Sequence, residues 1–289
     1  MTHMLVLTAA LGRLDDASVK TVSAMTDTSP HWLSPGTACE FRVSDHEIIS
    51  RIRASLINHP VDANIVPNLN RRKKLLVADM DSTIINCECI DEIADFAGIK
   101  SQIAAITERA MRGEIEFESA LKERVGLLKG LPEETLDKVY QSRIRLNDGA
   151  KILVKTMVAN GAMTALVSGG FTYFTSRVAD AAGFAINRAN SLGIERGKLT
   201  GTVAEPILGR EAKRQSLIEL AVKSAIQMSE TLAIGDGAND LAMIKESGLG
   251  IAYRAKPVVA EAAHARLDHA DLSAALYLQG YAETELVLT

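Results

Sequence analysis

The chain has 289 residues, 47% of them hydrophobic and 24% charged, which is the composition of a folded globular protein and excludes disorder. Its formal net charge of −4 gives no electrostatic case for nucleic acid or an anionic membrane surface, and no apolar run approaches the length of a membrane span. Three cysteines, Cys39, Cys87 and Cys89, are too few for a disulfide framework, and the amino terminus lacks the pattern of a secretory signal, so a cytoplasmic protein is expected.

In chain order, Met4–Ala10 reads as a strand, Leu11–Met25 as a weakly amphipathic helix, and Ala38–Val43 as a half-buried strand with an extra strand open near His31 and Trp32. Ser44 and Asp45 can cap a helix carrying Ile48, Ile49, Ile52 and Leu56, and Val61–Val66 reads as a last strand before a basic connector, Asn68–Lys74. This is the outline of a small ferredoxin-like or ACT-like module over residues 1–70 without a catalytic constellation. It reads as a regulatory or dimerising addition or as a plain structural extension, and a homodimer stays open.

Leu75–Ala78 then forms a short apolar strand that runs into Asp79-Met80-Asp81-Ser82-Thr83. If the chain stays extended, residues two apart point the same way, and Asp79 and Asp81 share a face at the strand's carboxyl end, where open α/β sheets bind ligands. Residues 89–147 carry helical periodicity, broken at Gly130 and Pro132, and suit a lid inserted into the sheet domain. Cys87 and Cys89 have no metal-knuckle spacing and read as small, partly buried residues. Strand–helix alternation resumes beyond residue 148. A helix over Ala150–Asn160 precedes the strand Met163–Val167, which ends in Ser168-Gly169-Gly170 with a helix after it. Leu199–Val203 suggests a strand or hairpin, and Glu211–Ala225 a helix containing Lys213. The strand Thr231–Ile234 runs into Gly235-Asp236-Gly237-Ala238-Asn239-Asp240, and Gly248–Ala252 is a further strand. Alternation at this pace predicts a Rossmann-like parallel sheet with helices on both faces, built from residues 71–88 and 148–289.

A phosphate dianion approaching two carboxylates meets about 4 kcal/mol of repulsion per contact at 4 Å and an effective dielectric near 20. Such a site must import positive charge. Asp79, the main chain at Asp81 and Asp236 could form an oxygen cage for one Mg²⁺, Lys213 supplies a permanent cation, and Ser168 with free amides at Gly169 offers anion donors.

The set Asp-x-Asp-Ser-Thr, Ser-Gly-Gly, Lys and Gly-Asp-Gly-Ala-Asn-Asp, in that order, resembles the four motifs of the haloacid dehalogenase superfamily of phosphohydrolases. The text around Glu88 and from Arg124 to Leu131 is similar to the branch of that family that acts on O-phospho-L-serine, in its longer bacterial form; the likeness runs roughly from Leu75 to Ala275. The resemblance implies an Mg²⁺-dependent monoesterase that releases L-serine, the last step of serine biosynthesis. Asp79 would be the nucleophile and become an aspartyl phosphate, and Asp81 the general acid and base. Asp79, Asp81 and Asp236 would hold the metal, while Ser168, Gly169, Lys213 and Asn239 would bind phosphate or substrate, with Asp240 behind the metal waters or Lys213. By the same resemblance Glu88 reads the substrate amine, Arg124 its carboxylate, and Met111 and Phe117 form the closing apolar wall. The partner expected is a small molecule alone. Another phosphomonoester, such as phosphohomoserine or a sugar phosphate, is the rival substrate. A phosphometabolite sensor without turnover is disfavoured by the acid/base position of Asp81, and an ion-pump fragment by the absence of membrane spans.

Overall fold

The computed structural model describes residues 3–288. Four antiparallel strands open the chain: β1 (His3–Ala9), β2 (His31–Ser34), β3 (Ala38–Val43) and β4 (Val61–Pro67), in sheet order β2-β3-β1-β4. The helices α1 (Asp16–Thr26) and α2 (Ile48–Ser55) pack on one face of this sheet, where Leu5, Leu7, Val22, Phe41 and Ile52 form a core of their own. Helix α1 starts five residues later than the sequence pattern predicts. Gly12 turns the chain with φ of 69°, and the Asp15 side chain accepts from the Ser18 amide, so Leu11–Leu14 are spent on a turn and a cap. The extra strand at His31 is present.

The other face of the small sheet is not solvated. Met4, Val6, Ala38 and Val66 belong to the core of the larger domain, and the two parts are clamped by polar side chains. Asp62, 3% exposed, accepts from the amides of Asp268 (2.9 Å), His269 (3.1 Å) and Ala270 (2.9 Å). Asn64 exchanges two bonds with the main chain of Arg266, at 2.8 and 2.9 Å. In the connector, Arg71 donates to the Leu278 and Tyr277 carbonyls and pairs with Glu40 at 2.6 Å, tying β3 to the end of the chain.

The larger domain holds six parallel strands: β5 (Leu75–Ala78), β6 (Met163–Phe171), β7 (Ile186–Asn190), β10 (Thr231–Gly235), β11 (Leu249–Tyr253) and β12 (Ala265–Leu267), in the order β12-β11-β10-β5-β6-β7. From β5 the chain builds outward through β6 and β7, then returns to the other side of β5 and builds outward through β10 to β12. The switch point therefore lies at the carboxyl end of β5, between β6 and β10. Between β5 and β6 come α3 (Cys89–Phe96), α4 (Lys100–Met111), α5 (Phe117–Gly126) and α6 (Glu134–Arg143), the helical cap, and then α7 (Ala150–Ala159). The helices α8 (Thr172–Ala182), α9 (Arg210–Lys223), α10 (Leu241–Glu246), α11 (Pro257–Ala262) and α12 (Ala274–Leu278) complete the domain. The antiparallel hairpin β8 (Leu192–Glu195) and β9 (Lys198–Val203) lies against α5.

Strand β6 extends through Ser168-Gly169-Gly170 to Phe171 instead of ending at Val167, because Phe171 still pairs with Asn190 across a bulge. Strands β7 and β12 and helix α12 carry no clear sequence signal; β12 has three residues, too few for a periodicity. No helix among the described residues is long and apolar enough to cross a membrane.

Replacing Asp62 with Ala strips three buried amides of their acceptor and is expected to lower the unfolding free energy by about 2–4 kcal/mol in urea denaturation. Cleavage by a protease in the 67–74 connector should rise with it. An unchanged midpoint would show that the clamp does not hold the small sheet down.

Candidate active site

Strand β5 ends at Ala78, and the next residues form a wide turn closed by the Ile85 amide on the Met80 carbonyl at 3.0 Å. Asp79 and Asp81 keep extended torsions, with ψ of 156° and 135°, and Ser82 is driven into the left-handed region at φ of 55°. A serine there is strained. It is held by its amide on the Cys87 carbonyl (3.2 Å) and by its hydroxyl on Glu88 (2.7 Å). The two carboxylates line one cavity as the sequence pattern predicts, although by way of a turn and not a continuing strand.

Lys213, one turn into α9 and 1% exposed, bridges two strand ends. Its ammonium lies 2.6 Å from an Asp79 oxygen and 2.6 Å from an Asp240 oxygen. Burial works against its charge, but Asp240 and Asp79 outweigh it and raise its pKa above the ordinary lysine value. Asp79 goes the other way for a carboxylate: burial and the Asp240 charge push it well up, and Lys213 only partly restores it. Asp240 reaches this position because Gly235 has no side chain; a Cβ there would sit 2.4 Å from the Asp240 carboxyl carbon. The second Asp240 oxygen accepts from the Gly237 amide at 3.1 Å.

Asp79, Asp236 and Asp240 present oxygens within 4.8 Å of one another. Three carboxylates against the single ammonium of Lys213 leave an excess of two negative charges, and the donor set is all oxygen. That combination fits a hard divalent cation. The Asp81 carboxylate is absent from this cluster: it accepts from the Cys89 amide (2.9 Å) and the Ser168 hydroxyl (3.0 Å). Burial raises its pKa above the usual carboxylate range, against those two hydrogen bonds. Asp236, bonded by Thr83 at 3.4 Å, is pushed up to about 6 by burial and by Asp240.

Above this floor lies a cavity of about 550 Å³ closed from the far side by the cap. Ser168 is fully buried and its oxygen also accepts from the Gly170 amide at 2.8 Å; a side chain at Gly170 would meet Asp81 at 2.8 Å. Gly169 and Asn239 line the wall. Glu88 opens to the cavity water, yet the enclosing walls and the Asp81 charge push its carboxyl up to about 7. Arg124 on α5 faces it across the space; its Nε donates to the Ala120 carbonyl at 3.3 Å and it forms no ion pair among the described residues. Phe117 packs on the main chain of Gly169 and Gly209, while Met111 stands 67% exposed at the rim. All the residues expected from the motifs meet here or directly behind the wall. Asp91 and Lys256 join them unannounced; Asp91 had a signal, since it follows Glu88 by three residues at the start of a helical stretch, whereas Lys256 follows β11 in no motif. The three cysteines are free thiols, and burial holds Cys87 and Cys89 above the ordinary thiol pKa.

Residues 73–248 match the family model of haloacid dehalogenase-like hydrolases. A phosphoserine phosphatase of Polaromonas is 47% identical over 210 residues, covering 71% of this chain and 89% of that one. Another, of Archaeoglobus fulgidus, is 44% identical over 228 residues, 78% of this chain but just under two thirds (66%) of the relative's length. Among solved structures, a probable phosphoserine phosphatase of Vibrio cholerae in unliganded form superposes with a TM-score of 0.82 at 33% identity, covering 98% of this chain and 88% of that one.

Replacing Lys213 with Met leaves Asp79 and Asp240 facing each other without a cation and should cost about 3–5 kcal/mol of stability near neutral pH. The loss should shrink as the pH falls. The folded Asp79 carboxyl, held by burial well above its ordinary pKa, binds its proton first, so protonation favours the folded state of this variant. Thermal unfolding from pH 8 to pH 5 checks this; a constant deficit would deny the repulsion.

Proposed function

This chain belongs to the phosphoserine phosphatases of the haloacid dehalogenase-like hydrolase family, and on that premise we propose that it hydrolyses O-phospho-L-serine to L-serine and phosphate through an aspartyl phosphate on Asp79. The observation that carries this reading is the placement of Asp79 and Asp81 on the floor of one cavity whose roof offers Glu88 and Arg124, an amino-acid reader above a phosphoryl-transfer pair.

An Asp79 oxygen attacks phosphorus as the bond from phosphorus to the seryl oxygen breaks. Asp81, whose raised pKa keeps a proton available, gives it to the leaving oxygen and takes one back from the water that later cleaves the acyl phosphate. Lys213 orients Asp79 and, once phosphate is in place, faces its oxygens with a fixed charge. Ser168 fixes Asp81 with its one hydroxyl proton and would turn that proton to a phosphate oxygen once substrate is bound. Asp79, Asp236 and the main chain at Asp81 would hold Mg²⁺, with Asp240 behind them. Bound there, the ion supplies charge neutralisation on the phosphate oxygens and lowers the pKa of Asp79. Arg124 matches the substrate carboxylate in a two-point contact, and Glu88 the ammonium. Phe117, packed against Gly169, and Met111 at the rim would form the apolar wall that closes over bound substrate. Free thiols suit work in the cytoplasm, as the last step of serine biosynthesis.

Phosphate release from a panel of small monoesters, with Mg²⁺ and with chelator, tests the reading. Selective, metal-dependent release from phosphoserine is expected; equal release from phosphohomoserine or sugar phosphates would remove the substrate assignment and leave the chemistry. Asp79→Asn should fold normally and lose activity by at least about a thousandfold, and steady turnover in that variant would take the nucleophile role from Asp79.

Because Glu88 titrates near 7, it is neutral below that pH and gains the charge that pairs with an ammonium above it. The kcat/KM for phosphoserine should therefore rise as pH increases through 7, and Glu88→Gln should flatten that rise. A profile unchanged by the substitution would separate Glu88 from amine binding.

A further inference from the structure

Glu88 is an incomplete partner for a substrate ammonium. One of its oxygens already accepts from the Ser82 hydroxyl at 2.7 Å, and near neutral pH it is only partly ionised. The cavity holds a second, uncommitted carboxylate. Asp91 lies in the first turn of α3, three residues after the N-cap Glu88, half-buried and lining the same space. Among the described residues its carboxylate accepts no hydrogen bond and forms no ion pair. Half-buried charges without partners are uncommon in a folded protein and point to a ligand.

The opposite wall has the complementary gap. Among the described residues Arg124 donates only to the Ala120 carbonyl within its own helix, through Nε, and its Nη groups have no partner. Asp91 is the carboxylate whose charge acts on it most, ahead of Glu88, yet the two stay too far apart for an ion pair. An unpaired anion and an unpaired cation face each other across one cavity without collapsing together. An α-amino acid carries the reciprocal pair, an ammonium and a carboxylate on one carbon, and would fit between them.

We infer that Asp91 is a third specificity-determining residue, which shares the substrate ammonium with Glu88 while Arg124 takes the carboxylate. The inference rests on the phosphoserine reading and deepens it. With two carboxylates on the ammonium, the site selects against phosphomonoesters that carry a carboxylate and no amine, because their approach leaves Asp91 unpaired and repelled.

The test compares the wild type, Asp91→Asn and Asp91→Ala on O-phospho-L-serine and on its des-amino analogue, 3-phosphooxypropanoate, with Mg²⁺. The wild type alone decides the underlying reading: turnover of phosphoserine supports it, and turnover of the des-amino ester only would remove both that reading and this one. If phosphoserine is the substrate, both variants should lose about tenfold in kcat/KM on it, mostly through KM. On the des-amino ester they should be unchanged or faster, so that the preference between the two substrates collapses by about the same factor. An equal loss on both esters would make Asp91 a structural residue of α3, and full retention of the phosphoserine preference would leave the ammonium to Glu88 alone.

Discussion

A buried ammonium shared by two buried carboxylates is the constraint on which the site depends. Lys213 lies 2.6 Å from both Asp79 and Asp240, and each of the three comes from a different stretch: the end of β5, the first turn of α9 and the loop after β10. Out of water, none of these charges is tolerable alone, so the ends of β5 and β10 and the start of α9 must stay together for the chain to fold. The arrangement remains two negative charges out of balance once Asp236 is added, an excess that one divalent cation would offset. Stability and chemistry therefore draw on the same few atoms.

The strand order explains why such a concentration of acid is possible. All six strands of the large sheet run parallel, and β5 is the strand from which the chain builds in both directions. Its carboxyl end faces a crevice that no crossover fills. Gly235 and Gly170 keep that crevice tight enough for Asp240 and Asp81 to reach their positions, each by omitting a side chain that would collide with a carboxylate. The cap, inserted directly after the Asp79–Thr83 turn, begins so that Glu88 and Asp91 line the cavity within a dozen residues of Asp79. One short segment thus supplies both the floor carboxylates and the acidic wall of the cavity, and Arg124 from α5 faces them.

The small amino-terminal sheet is anchored rather than tethered. One face carries α1 and α2, and the other is absorbed in the core of the large domain. Asp62 and Asn64 act on the main chain at and after β12, two strands from Asp236. Arg71 and Glu40 close the opposite side against α12.

Much of this was legible from the residues alone. Apolar runs ending in Asp or Gly placed the ends of β5 and β10, because a buried parallel strand must be continuously apolar and its ligand end polar, whereas the run before Ser168 stopped four residues short of the end of β6; the paired spacing of Asp79 and Asp81 and the Gly-Asp-Gly-Ala-Asn-Asp run pointed to the site. What tertiary structure alone decided was everything that depends on distance between remote segments. The sequence could offer Lys213 as a cation but not bring it to Asp79, since burial of a lysine is fixed by the carboxylates that surround it. It could not show that Asp81 spends its carboxylate on Cys89 and Ser168 while Asp240 joins the acidic cluster. Nor could it show that Asp91 and Arg124 are left unpaired, or that β12, three residues long, exists because β11 and the Asp62 clamp hold it. Local patterns specify what each segment is; only packing specifies which charges have partners and which await one.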